Sequence, residues 1–162
     1  MITNLPTVKD DLIRKLRQAS ENRGIWVYFL LKTARDKGYD IETFARKGIR
    51  ELGRSNRYKY PDTDDLKTFV DAFMDDVSRN LFEMELVGFD GKTAKIDFHY
   101  CPMCGAWTRV SDEQDFLEKI CDIAMEVDRG LFDTYDCFEF ELGKTICQGH
   151  PTCEIFIRKK EK

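Results

Sequence analysis

Two stretches of this chain alternate apolar and polar residues with a period of two, and the sequence before and between them has a helical rhythm. In the first, Phe82, Met84 and Leu86 alternate with charged or exposed positions, Asp90-Gly91 makes a tight turn, and Ala94, Ile96 and Phe98 answer on the return. In the second, Phe138, Phe140 and Leu142 precede a loop at Gln148-Gly149-His150-Pro151, after which Cys153, Ile155 and Ile157 face one way. Each reads as a hairpin with one buried face, and a two-stranded ribbon is too small to stand alone. Together they predict one antiparallel sheet.

The rest supplies its cover. Leu12, Leu16 and Ala19 recur at helical spacing until Asn22-Arg23-Gly24 interrupts; Ile25 to Lys37 is stopped by Gly38, and Ile41 to Leu52 by Gly53. A fourth helix is expected from Asp62, with Leu66, Phe69, Val70, Phe73 and Val77 on one face. Between the hairpins, Ser111 and Gln114 fit a capping box opening a long helix to about Gly130. The fold class is therefore α+β: N-terminal helices, then hairpin, helix and hairpin forming a small antiparallel sheet packed against helices. Twelve Phe, six Tyr and two Trp in 162 residues supply the apolar area for a single domain over 1–162, with a helical part at about 6–80 and a cysteine-rich α+β part at about 81–160.

Thirty acidic against 26 basic residues, and no basic cluster longer than Arg158-Lys159-Lys160, argue against nucleic acid or a membrane surface as partner. A small-molecule substrate or ligand is expected instead, with a homo-oligomer left open and no nucleotide cofactor. The longest apolar run, Ile25 to Leu31, is far short of a membrane span, and Met1 to Arg17 lacks a signal-peptide core. The expected compartment is the reducing cytoplasm. The six cysteines, at 101, 104, 121, 137, 147 and 153, then read as thiols or metal ligands rather than as disulfides.

Three constellations bear chemistry. Cys101-x-x-Cys104 has the spacing of a metal knuckle, although it lacks a partner pair, and the βαβ context of a thioredoxin-like site is missing. Cys147 and Cys153 flank the last turn and Cys121 lies on the preceding helix, so a three-thiolate site is sterically reasonable, with Cys104, Cys101 or His150 as a further ligand. Zinc is the metal such ligands favour. Against this stands the ordinary behaviour of free cysteine as a small buried hydrophobe. The third constellation is Glu126, Asp128 and Arg129 with Lys144 and His99. Cys121 and Asp128, seven residues apart, point within about 20° of each other on a continuous helix, and an inward carboxylate needs a partner or a role.

The ordered run His99-Tyr100-Cys101-Pro102, Ala106-Trp107, Cys121-Asp122-Ile123-Ala124-Met125-Glu126, Asp128-Arg129-Gly130, Lys144-Thr145-Ile146, Gly149 and Cys153 resembles the L-2-amino-thiazoline-4-carboxylic acid hydrolase family. Phe44-Ala45-Arg46-Lys47 and Glu51-Leu52-Gly53-Arg54 extend the resemblance to roughly residues 20–158. It implies a hydrolase of a C=N or amide-like bond in a small carboxylate-bearing compound, in which either a metal at the cysteine cluster activates water or Cys101 attacks as the nucleophile, with Asp128 or His99 moving protons. Trp107, Arg129 and Lys144 would bind the substrate. Where the family carries an aliphatic stretch and a Glu, this chain has Met103, Cys104 and Gly105. The order Cys121, Cys147, Cys153 is also similar to the vinyl-4-reductase-type ligand-binding domains of aromatic-sensing activators. That likeness implies the alternative of a non-catalytic, zinc-containing small-molecule sensor, although Lys144 stands where those sensors place an acidic ligand.

Overall fold

The computed structural model describes residues 2–161. Its elements are α1 (Asp11–Asp36), α2 (Ile41–Ser55), α3 (Leu66–Phe73), α4 (Asp76–Phe82), β1 (Met84–Phe89), β2 (Thr93–Phe98), α5 (Pro102–Trp107), α6 (Gln114–Ala124), α7 (Glu126–Phe132), β3 (Phe138–Leu142) and β4 (Cys153–Lys159). The two hairpins form one four-stranded antiparallel sheet in the order β1-β2-β4-β3. Its centre is the β2–β4 ladder, which pairs Ala94 with Ile157, Ile96 with Ile155 and Phe98 with Cys153. Of these, Ala94, Ile96, Cys153, Ile155 and Ile157 are buried on the helix side and Phe98 is half-buried. On the other side Lys95 reaches Glu154 at 2.8 Å, so the sheet has one dry face and one wet face. The Asp90-Gly91 turn works through side chain and backbone together: the Asp90 carboxylate accepts from the amides of Lys92 and Thr93, and Gly91 takes φ +84°.

The helices depart from the sequence reading at Gly24 and Gly53, at the expected starts Asp62 and Ser111, and at Met125. Residues 22–24 do not break the first helix; α1 runs through them, capped by Asp10, whose side chain accepts from the Ile13 amide at 2.9 Å. Gly24 is there for proximity, since a Cβ at that position would sit 3.2 Å from the Cα of Met103 on α5. The buried face of α1 is Ile13, Arg17, Gly24, Tyr28 and Leu31, so Leu12 and Ala19 mark the outer face. Gly53 likewise lies inside α2 rather than beyond its end.

The helix expected from Asp62 is two helices, α3 capped by Asp65 and α4 capped by Asp75, which leaves Val77 exposed. No capping box forms at Ser111, whose hydroxyl accepts from the Glu113 amide, and the long helix is broken at Met125 into α6 and α7. Two apolar clusters hold the elements together. One joins α1, α2, α5 and α6 around Trp107 and the buried thiols, and the other packs α3 and α7 on the sheet through Phe69, Phe132 and Phe138.

Candidate functional site

A cavity of about 200 Å³ opens where the helices meet the sheet. Its walls are mostly apolar: Phe73, Phe82, Met84, Phe98, Met103, Leu131 and Ile155 contribute, with Trp107 at one side, fixed by its indole N–H donating to the Gly24 carbonyl at 2.8 Å. Few charges are set among them. Asp128 is the carboxylate of the lining and Arg23 its cation, and Arg23 alone among the lining residues is exposed, so it marks the mouth. Neither side chain has a hydrogen-bonding or ion-pair partner among the described residues.

Asp128 projects from α7 in a way the sequence spacing did not require, because the break at Met125 separates it from the helix of Cys121. Both residues nevertheless line the same cavity. Burial pushes the Asp128 carboxyl up to about 7, and the neighbouring Arg129 offsets only part of that. Tyr60 faces the same space, its phenol pushed up to about 12 by burial and by the Asp128 charge. α7 is held in position by its other residues. Glu126 is buried and meets Arg46 at 3.2 Å, Arg50 at 2.8 Å and Arg129 at 2.9 Å.

Three thiols reach the cavity: Cys101, Cys121 and Cys153. Cys101 is the N-cap of α5, with its Sγ accepting from the Cys104 amide at 3.5 Å and its backbone clasped by the Asn4 side chain at 2.8 and 2.9 Å. Burial raises its pKa well above the ordinary thiol value. Burial also pushes Cys153 up, to about 12, although its Sγ accepts from the Ile146 amide. Cys121 goes the other way. Hydrogen bonds from the Cys147 thiol and, against the cost of burial, from the Thr145 hydroxyl lower its pKa. The donor pays in kind: Cys147, tied to Cys104 and Cys121, is raised. Thr145 is oriented by a capping box with Gln148 that starts the 3-10 turn Ile146–Gln148.

The other expected site residues lie elsewhere. His99 is 43% exposed and its Nε2 meets Glu85 Oε2 at 2.9 Å, on the strand side and away from the cavity. Strand alternation turns it opposite to Phe98, which does line the cavity. Arg129 is held by Asp122 at 2.6 Å and by Glu126, and Lys144 and His150 border a shallow cleft with Glu118 and Glu154 on the outer surface. His150 therefore does not join the thiols. Cys104 and Cys147 are buried behind the cavity wall. Among the described residues no group of three His, Cys, Asp or Glu side chains is disposed to hold a metal ion.

Arg23, Tyr60 and Thr145 are site residues that the sequence reading passed over. Thr145 alone carried a local signal, the Thr-x-x-Gln capping pattern; Arg23 and Tyr60 come from a helix and a loop distant in sequence, and only the fold brings them in.

A solved structure of a trafficking protein particle complex subunit 3 from Naegleria fowleri, covalently bound to palmitic acid, superimposes with a TM-score of 0.64 at 18% identity, covering 90% of this chain and 97% of that one. That likeness is one of fold. No curated protein matches the chain. No helix among the described residues is long and apolar enough to cross a membrane. The family model for L-2-amino-thiazoline-4-carboxylic acid hydrolase matches residues 19–157, nearly the whole α+β unit including every wall of the cavity, and the chain belongs to that family.

Proposed function

We propose that this protein hydrolyses a small, carboxylate-bearing compound with a C=N or amide-like bond inside the cavity, with Asp128 as proton donor and acceptor and Cys121 as nucleophile. The observation that carries the reading is an unpartnered Asp128 in an apolar chamber, its carboxyl raised to about 7, where it can both give and take a proton at neutral pH. Cys121 replaces Cys101 as the preferred nucleophile because donors from Cys147 and Thr145 favour its thiolate, whereas burial keeps Cys101 protonated. In the first half-reaction the Cys121 thiolate bonds to the electrophilic carbon, Asp128 gives its proton to the nitrogen, and the carbon–nitrogen bond breaks to release the amine and leave a thioester on Cys121. In the second, Asp128 as carboxylate takes a proton from water, whose oxygen bonds to the thioester carbon while the carbon–sulfur bond breaks and returns the Cys121 thiolate. Arg23, the cation at the mouth, takes the substrate carboxylate in place of Arg129, which is paired with Asp122 and Glu126, and of Lys144, which lies on the outer surface.

The test is turnover of a thiazoline carboxylate by the wild type, with and without chelator, beside Asp128→Asn and Cys121→Ala. The reading expects turnover that survives the chelator and is lost in both variants.

The apolar walls support a second reading, in which the cavity only holds a ligand. The Naegleria protein of the same fold carries a fatty acyl group. A raised melting temperature with a medium-chain fatty acid, together with no turnover, would favour this reading over hydrolysis.

A further inference from the structure

The outer face of α1 carries a regular apolar seam. Leu12, Leu16, Ala19, Arg23, Trp26, Leu30 and Thr33 follow one another at alternating steps of four and three, the a/d rhythm of a helix that meets another helix. This is the side of α1 turned away from the core, whose residues are Ile13, Arg17, Gly24, Tyr28 and Leu31, and of the seam only Leu16 is half-buried. Trp26 is 72% exposed, Leu30 66% and Leu12 61%, and Phe29 beside them is 51% exposed. A tryptophan so placed packs little against its own chain.

We propose that this seam is a self-association face, on which α1 of a second copy lies antiparallel across a two-fold axis near Glu21. The occupant follows from how the seam fits itself. With the axis at Glu21, Leu12 faces Leu30, Leu16 faces Trp26 and Ala19 faces Arg23, so each d position meets an a position, as antiparallel pairing requires. Trp26 opposes the smaller Leu16 and Arg23 the smaller Ala19, while the end pair is leucine on leucine. In a parallel arrangement Arg23 would face Arg23 and Trp26 would face Trp26, one pair repelling and the other overcrowded. Ala19 also leaves the Arg23 stem room to carry its guanidinium aside to the cavity mouth, where the structure places it. The four large side chains expose on the order of 500 Å² per copy, so pairing covers at most about 1,000 Å² of apolar side chain, to which the polar residues flanking the seam add, and this reaches the size that a specific interface must clear.

Sedimentation velocity of the full chain at micromolar concentration is expected to give twice the monomer mass. Trp26→Glu combined with Leu30→Glu should give the monomer with an unchanged circular dichroism spectrum, since neither side chain packs in the core. The register has its own test. Ala19→Glu faces Arg23 of the other copy and should strengthen the dimer, while Ala19→Lys should weaken it; in a parallel pair residue 19 would face itself and both would weaken it. A wild-type chain that stays monomeric, or a double variant that stays dimeric, overturns the proposal, and weakening by both Ala19 variants overturns the antiparallel register.

Discussion

Gly53 and Gly130 bring the backbones of α2 and α7 into contact. A Cβ on Gly53 would lie 2.9 Å from the Gly130 Cα and overlap the Val127 carbonyl oxygen, and a Cβ on Gly130 would overlap the Arg50 carbonyl. This crossing lets Arg46 and Arg50 of α2 reach Glu126 and so fixes the helix from which Asp128 enters the cavity. Gly53→Ala is therefore expected to cost about 3 kcal/mol or more by overpacking. Gly48→Ala on the same helix, where a Cβ meets nothing within 4 Å, should be neutral or stabilise by up to about 1 kcal/mol. Chemical denaturation of the two variants checks the contrast.

For Asp128 the sign of the pH effect is set by its raised pKa. The folded state keeps the proton up to about 7, while the unfolded chain releases it near pH 4, so this group's stabilisation is complete at low pH and is lost as pH rises through 7. Asp128→Asn lacks that loss. It should match the wild type near pH 4 and exceed it above pH 7 by at most about 4 kcal/mol, at roughly 1.4 kcal/mol per pKa unit, while losing turnover. Melting temperatures across that pH range, read beside activity, test both halves.

Glu83 should show the opposite slope. Burial pushes its carboxyl up, but amides of Val8 and Thr7, the Thr7 hydroxyl and Arg17 at 2.9 Å outweigh that and hold it below the ordinary value. Its stabilisation is present at neutral pH and lost as pH falls through that lowered pKa. Glu83→Gln leaves the buried Arg17 without its counter-charge and should cost about 3–5 kcal/mol at pH 7. The difference from wild type should narrow in acid, as urea titrations at two pH values will show.

Among the cavity thiols, Cys121 should be alkylated by iodoacetamide before Cys101 and Cys153, because its neighbours favour the thiolate while burial opposes it in the other two. Thr145→Val removes one donor to its sulfur and should slow the reaction without unfolding the chain. Mass spectrometry of the modified peptides gives the order.

The sheet was legible because alternation leaves a strand only one way to face a core, and Ile96, Ile155 and Ile157 turn inward as their spacing demands. The helix ends were less so. A glycine read as punctuation is indistinguishable in sequence from one that lets helices touch, as Gly24, Gly53 and Gly130 do. The break at Met125 has no glycine or proline to announce it. Cys101, Cys121 and Cys153 stood out through the Cys-x-x-Cys spacing and the flanking of the last turn, and Asp128 because a carboxylate is rare on an inward stripe. Their sorting did not, since the difference between Cys101 and Cys121 rests on Thr145 and Cys147, contributed by a turn more than twenty residues further on.

The strand order also governs when the cavity can come into being. β4 lies between β2 and β3, so the sheet is not continuous until Cys153–Lys159 has inserted. The contacts that insertion makes, such as Ala94 with Ile157, join distant parts of the chain and close late and slowly. Until then Ile155 and Cys153 are missing from the cavity wall, and the helices above it have no floor. A nascent chain lacking those seven residues would expose the edges of β2 and β3 to other strands, which makes the last strand the point at which assembly and aggregation compete.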